Sequence, residues 1–191
     1  AMGILAGDAR LNLAYETAAK AFGMEVVDAR VARAFAVLAK KAGVYGMVGG
    51  QVVDVESEKS DDCPITREKL DFIYRLKTGA LIESSMMIGA ILAGASSDEV
   101  SRVEQIAAKL GLAFQIQDDV LDVTSTLEVL GKPVGSDEKN NKATYVTLEG
   151  LDKAVSDVER ISKEAEEQLD DLGYDDAFLK ELFEYLIHRE K

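Results

Sequence analysis

Tryptophan is absent, histidine and cysteine occur once each, and proline occurs twice in 191 residues. A lone cysteine, Cys63, cannot close an intramolecular disulfide, and no signal peptide is visible, so the default compartment is a reducing cytosol. The single histidine, His188, reads as a surface residue rather than a catalyst. Positive charge is also scarce. Lys and Arg number 22 against 35 Asp and Glu, a net charge of −13. That argues against nucleic-acid binding, which needs a basic face, and against an anionic membrane surface. The longest apolar run, Gly79 to Ala95, is interrupted by Glu83, Ser84 and Ser85, so it reads as a buried helix and not as a stable membrane insertion. No repeat, low-complexity stretch or convincing period-2 alternation is present. Hydrophobic residues make up 47%, enough for the core of one domain. The fold class expected is all-α.

What the chain does have is an acidic helix face. Phe114-Gln115-Ile116-Gln117-Asp118-Asp119-Val120-Leu121-Asp122 contains no glycine or proline. At about 100° per residue, Gln115, Asp118, Asp119 and Asp122 fall within roughly 60° of one direction. Ala113, Phe114, Ile116, Val120 and Leu121 fall on the other side. Adjacent carboxylates about 4 Å apart repel by roughly 4 kcal/mol near a protein surface. Such a face is either solvated or balanced by a cation, and carboxylate oxygens suit Mg²⁺.

The rest of the chain reads as amphipathic helices. Residues 4–22 and 25–41 form two. Gly43 to Asp54 follows, with Gly43, Gly46 and Gly50 near one face, open to close approach by a helix or ligand. Gln51 and Asp54, at i and i+3, point the same way at its end. Glu56 to Thr66 reads as a loop, with Thr66 as an N-cap. The helix after it carries Lys77-Thr78 at the entrance to its apolar part. There Lys77 either snorkels to water or faces an anion. Glu83, inside that apolar part, has no evident reason. Ser96 and Glu99 form a capping box, and Gly111 is expected to interrupt the helix it opens. Residues 124–145 form a loop bearing Lys132 and Lys142. An acidic helix over 151–169 and a last helix through Ile187 complete the pattern, with Arg189 and Lys191 beyond.

Three features agree: a carboxylate face suited to a divalent cation, lysines at Lys77, Lys132 and Lys142 in an acidic chain, and a helical interior rich in small residues. A substrate anionic at one end and apolar at the other would match. The stretches Ile4-Leu5-Ala6-Gly7-Asp8, Gly50-Gln51-Val52-Val53-Asp54, Lys77-Thr78-Gly79-Ala80-Leu81, Gly111 to Asp122, Gly131-Lys132 and Lys142 to Tyr145 resemble, in order and spacing, the C-terminal part of the trans-type isoprenyl diphosphate synthases. Within that family the pattern resembles the bacterial farnesyl diphosphate synthases in particular. The resemblance covers nearly the whole chain. It implies an orthogonal helix bundle of the isoprenoid synthase type lacking its N-terminal part, with residues 1–191 as the C-terminal part of one polyprenyl synthase domain. The chain also opens in mid-helix, which agrees with that expectation.

The resemblance implies further that Asp118, Asp119 and Asp122 form a second aspartate-rich motif, binding Mg²⁺ that bridges an allylic diphosphate. Lys77 and Lys142 would contact that diphosphate, and Lys132 lies on the same loop as Lys142. Thr78, the Lys77 carbonyl and Gln115 would stabilise an allylic cation. Gln51 and Asp54 would line the pocket, Phe114 would lie near the isopentenyl diphosphate, and Arg189 with Lys191 resemble a basic tail that closes over it. The implied reaction condenses isopentenyl diphosphate with dimethylallyl or geranyl diphosphate to farnesyl diphosphate, and the implied assembly is a homodimer of the full-length protein. The family's first aspartate-rich motif and its basic isopentenyl diphosphate segments have no counterpart here. The chain alone is therefore expected to be nearly inactive. A geranylgeranyl or longer-chain synthase is the alternative within the family; a non-catalytic helical interaction subunit is the alternative outside catalysis.

Overall fold

The computed structural model describes residues 1–24, 29–58, 65–125, 143–174 and 176–187. Among these residues every regular element is helical, as the sequence predicts. Helix α1 spans Met2–Ala19 and runs into a 3₁₀ turn, Lys20–Gly23. Helices α2 (Ala29–Ala42) and α3 (Met47–Glu58) follow. Helix α4 (Arg67–Tyr74) passes through a π turn (Arg75–Gly79) directly into α5 (Ala80–Ala93). Helix α6 (Ser97–Thr124) is succeeded by α7 (Tyr145–Glu149), α8 (Leu151–Asp170) and α9 (Ala177–Ile187).

Local chemistry sets several of these ends. Thr66 Oγ1 accepts from the Lys69 N–H at 3.3 Å and starts α4. The Ser96–Glu99 capping box is complete: the Ser96 N–H donates to Glu99 Oε2 at 2.7 Å, and the Glu99 N–H donates to Ser96 Oγ at 3.3 Å. Gly94 closes α5 with φ 93°, a conformation that favours glycine.

Two expectations fail. Helix α3 continues to Glu58, where a loop was expected from Glu56. Helix α6 runs unbroken through Gly111. The reason for the second is tertiary. A Cβ on Gly111 would lie 2.9 Å from Gly79 Cα, so this glycine marks where α6 crosses the π turn at close range. The cost of a glycine in a helix, about 1 kcal/mol, is offset by that approach.

Helix α6 is the axis of the bundle, with α5 on one side and α8 on another. The main core joins Leu70, Ile73 and Tyr74 of α4 to Ile106, Leu110 and Ile116 of α6 and to one stripe of α8. A smaller core joins Ala34 of α2 to Met87 and Ile91 of α5 and Val100 of α6. The continuous helix Arg67–Ala93 is long and apolar enough to cross a membrane by length and composition. It nevertheless packs on α2, α3 and α6 and carries a charged residue in its interior. Helix α1 buries none of its residues, and Met2, Ile4, Leu5 and Leu13 are each more than half exposed. Near its end, Tyr15 and Phe22 meet Phe35 of α2, with ring centroids 5.9 and 5.5 Å apart.

Candidate active site

The site forms where α3 and α6 meet the π turn. Gly50 makes the first contact. A Cβ there would fall 2.4 Å from the Lys77 backbone nitrogen and 2.7 Å from Leu76 Cβ, so no larger residue fits without moving α3 away. One turn further along α3, the buried Asp54 carboxylate accepts a hydrogen bond from Lys77 Nζ. Lys77, expected either to snorkel or to face an anion, thus neutralises Asp54 while its side chain stays one-third exposed.

The next residue serves the other neighbour. Thr78 Oγ1 donates to Gln115 Oε1 of α6 at 2.8 Å. Consecutive residues of a helical turn point in different directions around its axis, and the π turn presents Lys77 to α3 and Thr78 to α6. π turns inside α-helices occur frequently at functional sites. Gln51 is half-buried and lines a groove of about 300 Å³ with Met47, Val48, Val52, Val55 and Glu56. Phe114 is half-buried on α6.

The carboxylate face is more enclosed than its pattern suggests. Asp119 and Asp122 are buried, and Asp118 is half-buried. Asp119 Oδ2 accepts from the Tyr74 hydroxyl and from the Tyr145 backbone N–H, the latter at 2.7 Å. Among the described residues, no three acidic, histidine or cysteine side chains gather closely enough to cage a metal ion. Mg²⁺ is ordinarily held by one or two carboxylates with substrate phosphates and water completing the shell. Asp118 and Asp122, one turn apart on α6, match that donor set, while Asp119 is hydrogen-bonded to Tyr74 and the Tyr145 backbone. Lys132, Lys142, Arg189 and Lys191 lie outside the described residues.

Sequence reasoning missed two polar clusters around this junction. The first explains Glu83, which is 1% exposed. Its Oε2 accepts from Lys41 Nζ, which also reaches Glu104 Oε1 at 2.6 Å. Glu83 Oε1 makes no hydrogen bond, with Arg75 Nε 3.8 Å away. Burial works to lower the Lys41 pKa, but its hydrogen bonds to Glu104 and Glu83 outweigh this and raise it. The signal was present as a charge inside an apolar run; its partner, 42 residues away, was not legible.

The second cluster centres on Tyr145, which is fully buried. Its hydroxyl donates to Asp157 Oδ2 at 2.7 Å, and Arg67 stacks 4.1 Å from its ring centroid. Burial and the Asp157 bond push the phenol up to about 12, against the pull of Arg67. Burial works to raise the Asp157 pKa, but hydrogen bonds from Lys153, Tyr145 and Arg160 hold it well below the usual carboxylate range. A depressed folded-state pKa means that the stability Asp157 contributes is fully present above the unfolded value of about 3.9 and is lost as pH falls below it. Asp157→Asn is therefore expected to melt below wild type at pH 7, with the gap narrowing from about pH 4 downward. Thermal melts by circular dichroism from pH 7 to pH 2.5 test this, and a gap independent of pH would contradict it.

With this geometry in view, known proteins give the context. The polyprenyl synthetase family model matches residues 1–182. The heterodimeric geranylgeranyl pyrophosphate synthase large subunit 1 of Arabidopsis thaliana, a chloroplastic protein, is 44% identical over 98% of this chain and 51% of its own length. The chloroplastic geranylgeranyl pyrophosphate synthase of Catharanthus roseus is 41% identical over 98% of this chain and 52% of its own. The geranyltransferase of Helicobacter pylori, solved in complex with magnesium and isoprenyl diphosphate, superposes with a TM-score of 0.79 at 29% identity, over 96% of this chain and 58% of its own. The chain thus spans about half the length of the curated relatives it matches.

Proposed function

This chain belongs to the polyprenyl synthetase family, and from that membership we propose that it carries the allylic-diphosphate side of a prenyltransferase site. The observation that carries this reading is the junction itself. Asp54–Lys77 and Thr78–Gln115 are brought to one crossing by glycine contacts that admit no side chain, and Asp118 and Asp122 follow one and two turns beyond Gln115 on α6.

In this reading the Lys77 ammonium moves from Asp54 to a diphosphate oxygen as substrate enters. Mg²⁺ held by Asp118 and Asp122 would supply Lewis-acid neutralisation of the leaving diphosphate; the magnesium in the Helicobacter pylori complex supports this choice of ion. The oxygens of Thr78 and Gln115 turn their dipoles toward the developing allylic cation. Isopentenyl diphosphate is the nucleophile that captures it, which requires that water be kept from the cation once substrate is bound. The proton then leaves to the departing diphosphate. The protein's share is positioning and charge stabilisation.

For the product, the findings favour geranylgeranyl diphosphate over the farnesyl diphosphate that the sequence pattern suggested. The curated relatives above, at 41–44% identity, are named for geranylgeranyl diphosphate, while the geranyltransferase likeness is 29%. We also propose that the exposed apolar residues of α1 serve association with further polypeptide, in a homodimer of the full-length protein. The heterodimeric name of the Arabidopsis relative makes an unlike subunit the alternative partner. The single cysteine suits the reducing, cytosolic compartment proposed for it.

Binding of thiolodiphosphate analogues of dimethylallyl, geranyl and farnesyl groups with Mg²⁺, followed by calorimetry, tests the reading. All three are expected to bind, and Asp118→Ala is expected to weaken each by at least about tenfold. Exclusion of the farnesyl analogue alone would return the product to farnesyl diphosphate. Wild-type affinity in Asp118→Ala would remove the metal from this face.

A further inference from the structure

A cavity of about 550 Å³ lies along the second half of α5, where α6, α8 and α9 meet it. Its size is that of a small-molecule pocket. Met86, Ala93, Val103 and Leu169 are among its walls, with Ser85 and Gly89 on the side nearer solvent. Ser85 adds little polarity, because its hydroxyl donates to the Leu81 carbonyl at 2.9 Å. The end away from the π turn is charged. Glu99, on the first turn of α6, accepts from the Tyr174 hydroxyl and the Ser96 N–H, which bring its pKa down to about 2.

Gly89 is the informative wall residue. A glycine inside a helix weakens it relative to alanine. At Gly50 and Gly111 the close approach of another backbone accounts for the glycine, but a Cβ at Gly89 would meet nothing within 4 Å. Packing therefore gives no reason for Gly89; what the missing side chain leaves is room in the cavity.

That room is in line with the candidate active site. Leu81, Ser85 and Gly89 follow one another at four-residue steps on one side of α5, and Leu81 lies on the turn after Thr78. At about 1.5 Å per residue, Ser85 is about 10 Å and Gly89 about 16 Å beyond Thr78 along the axis. An extended isoprene unit adds four carbon–carbon bonds, about 5 Å. From a reacting carbon at Thr78 and Gln115, two units reach Ser85 and three reach Gly89.

We propose that this side of α5, and the cavity it opens into, receive the apolar tail of the allylic diphosphate, with Ser85 and Gly89 setting how long a tail is admitted. The proposal rests on the reading of Thr78 and Gln115 as the place where the allylic cation forms. The absent side chain at Gly89 admits a farnesyl tail, and with it a twenty-carbon product. Glu99 opposes a longer one, because a chain running past it would strip water from its carboxylate.

Calorimetry of the 191-residue chain with Mg²⁺ and the dimethylallyl, geranyl and farnesyl thiolodiphosphates tests this on two variants. Ser85 is exposed, and leucine at Gly89 enters open space and forms helix better than glycine, so both variants are expected to fold, which circular dichroism checks. Gly89→Leu is expected to lower the affinity for the farnesyl analogue, relative to the dimethylallyl analogue, by at least about tenfold, because the last isoprene unit loses its apolar surroundings. Ser85→Phe is expected to lower that ratio for the geranyl and farnesyl analogues alike. Wild-type ratios in both variants, or an equal loss of all three analogues, would place the tail elsewhere and overturn the proposal while the prenyltransferase reading stands. Wild-type chain that excludes the farnesyl analogue alone would end the tail short of Gly89 and overturn it too. Wild-type chain that binds none of the three would overturn that reading and the proposal with it.

Discussion

Lys41→Met is expected to destabilise the protein by about 3–5 kcal/mol, the usual consequence of removing one partner of a buried ion pair. Glu83 is 1% exposed, and its Oε2 has Lys41 Nζ as its donor. Arg75, 3.8 Å from the other oxygen, is two-thirds exposed and too distant for a hydrogen bond. Without Lys41 the Glu83 carboxylate must stay charged in the interior or take up a proton, and either costs free energy. Glu104 also loses its bond to Lys41, but it is about one-third exposed and can turn to water. The double replacement Lys41→Met with Glu83→Leu separates the pair from its desolvation. It is expected to recover most of the loss, because exchanging a buried ion pair for apolar residues is often neutral or better. Guanidinium denaturation of wild type, both single variants and the double gives the cycle. A loss under about 1 kcal/mol for Lys41→Met, the range of exposed pairs, would mean that the pair is not desolvated.

Gly50→Ala is expected to cost about 3 kcal/mol, the upper end of the overpacking range. The obstacle is backbone as well as side chain: the new methyl would sit 2.4 Å from the Lys77 nitrogen, and neither helix can yield there by changing a rotamer. Helix α3 would have to move off the π turn and take Asp54 away from Lys77. The same variant is therefore expected to weaken diphosphate binding, measured with pyrophosphate by calorimetry at a temperature where it is folded. Gly89→Ala is the control. A Cβ at Gly89, within α5, meets nothing inside 4 Å, so alanine there is expected to stabilise by about 0.5–1 kcal/mol. If Gly50→Ala behaves like Gly89→Ala, the close crossing of α3 over the π turn is wrong.

These two sites mark the boundary of what the sequence could tell. Caps at Thr66 and Ser96 were legible because each depends on residues three apart. The same holds for the spacing of Asp118, Asp119 and Asp122 and for the cluster of small residues around Gly50. Gly111 was misjudged because a local rule, glycine weakens helices, was applied where a contact with Gly79 decides. Glu83 stood out as an anomaly, but Lys41 lies 42 residues upstream and looks like any surface lysine of an amphipathic helix. Tyr145 carried even less signal. Its role depends on Asp119, Asp157 and Arg67 converging from three other helices. Non-local pairs of this kind leave no period in the sequence.

The π turn between α4 and α5 acts as a phase setting for the rod that contains it. A π turn bonds each N–H one residue further back than an α-helix does, so Arg75–Gly79 holds one residue more than the regular helix would use there. Inserting a residue into the regular helix on either side would rotate one end of the rod against the other by about 100°. Tyr74, on the near side, must face Asp119; Glu83, on the far side, must face Lys41. No single rotation of the lengthened rod satisfies both ends. A one-residue change in the regular helix is therefore a torsional change across the whole bundle, whereas a residue removed from the π turn leaves an α-helix of nearly the same phase.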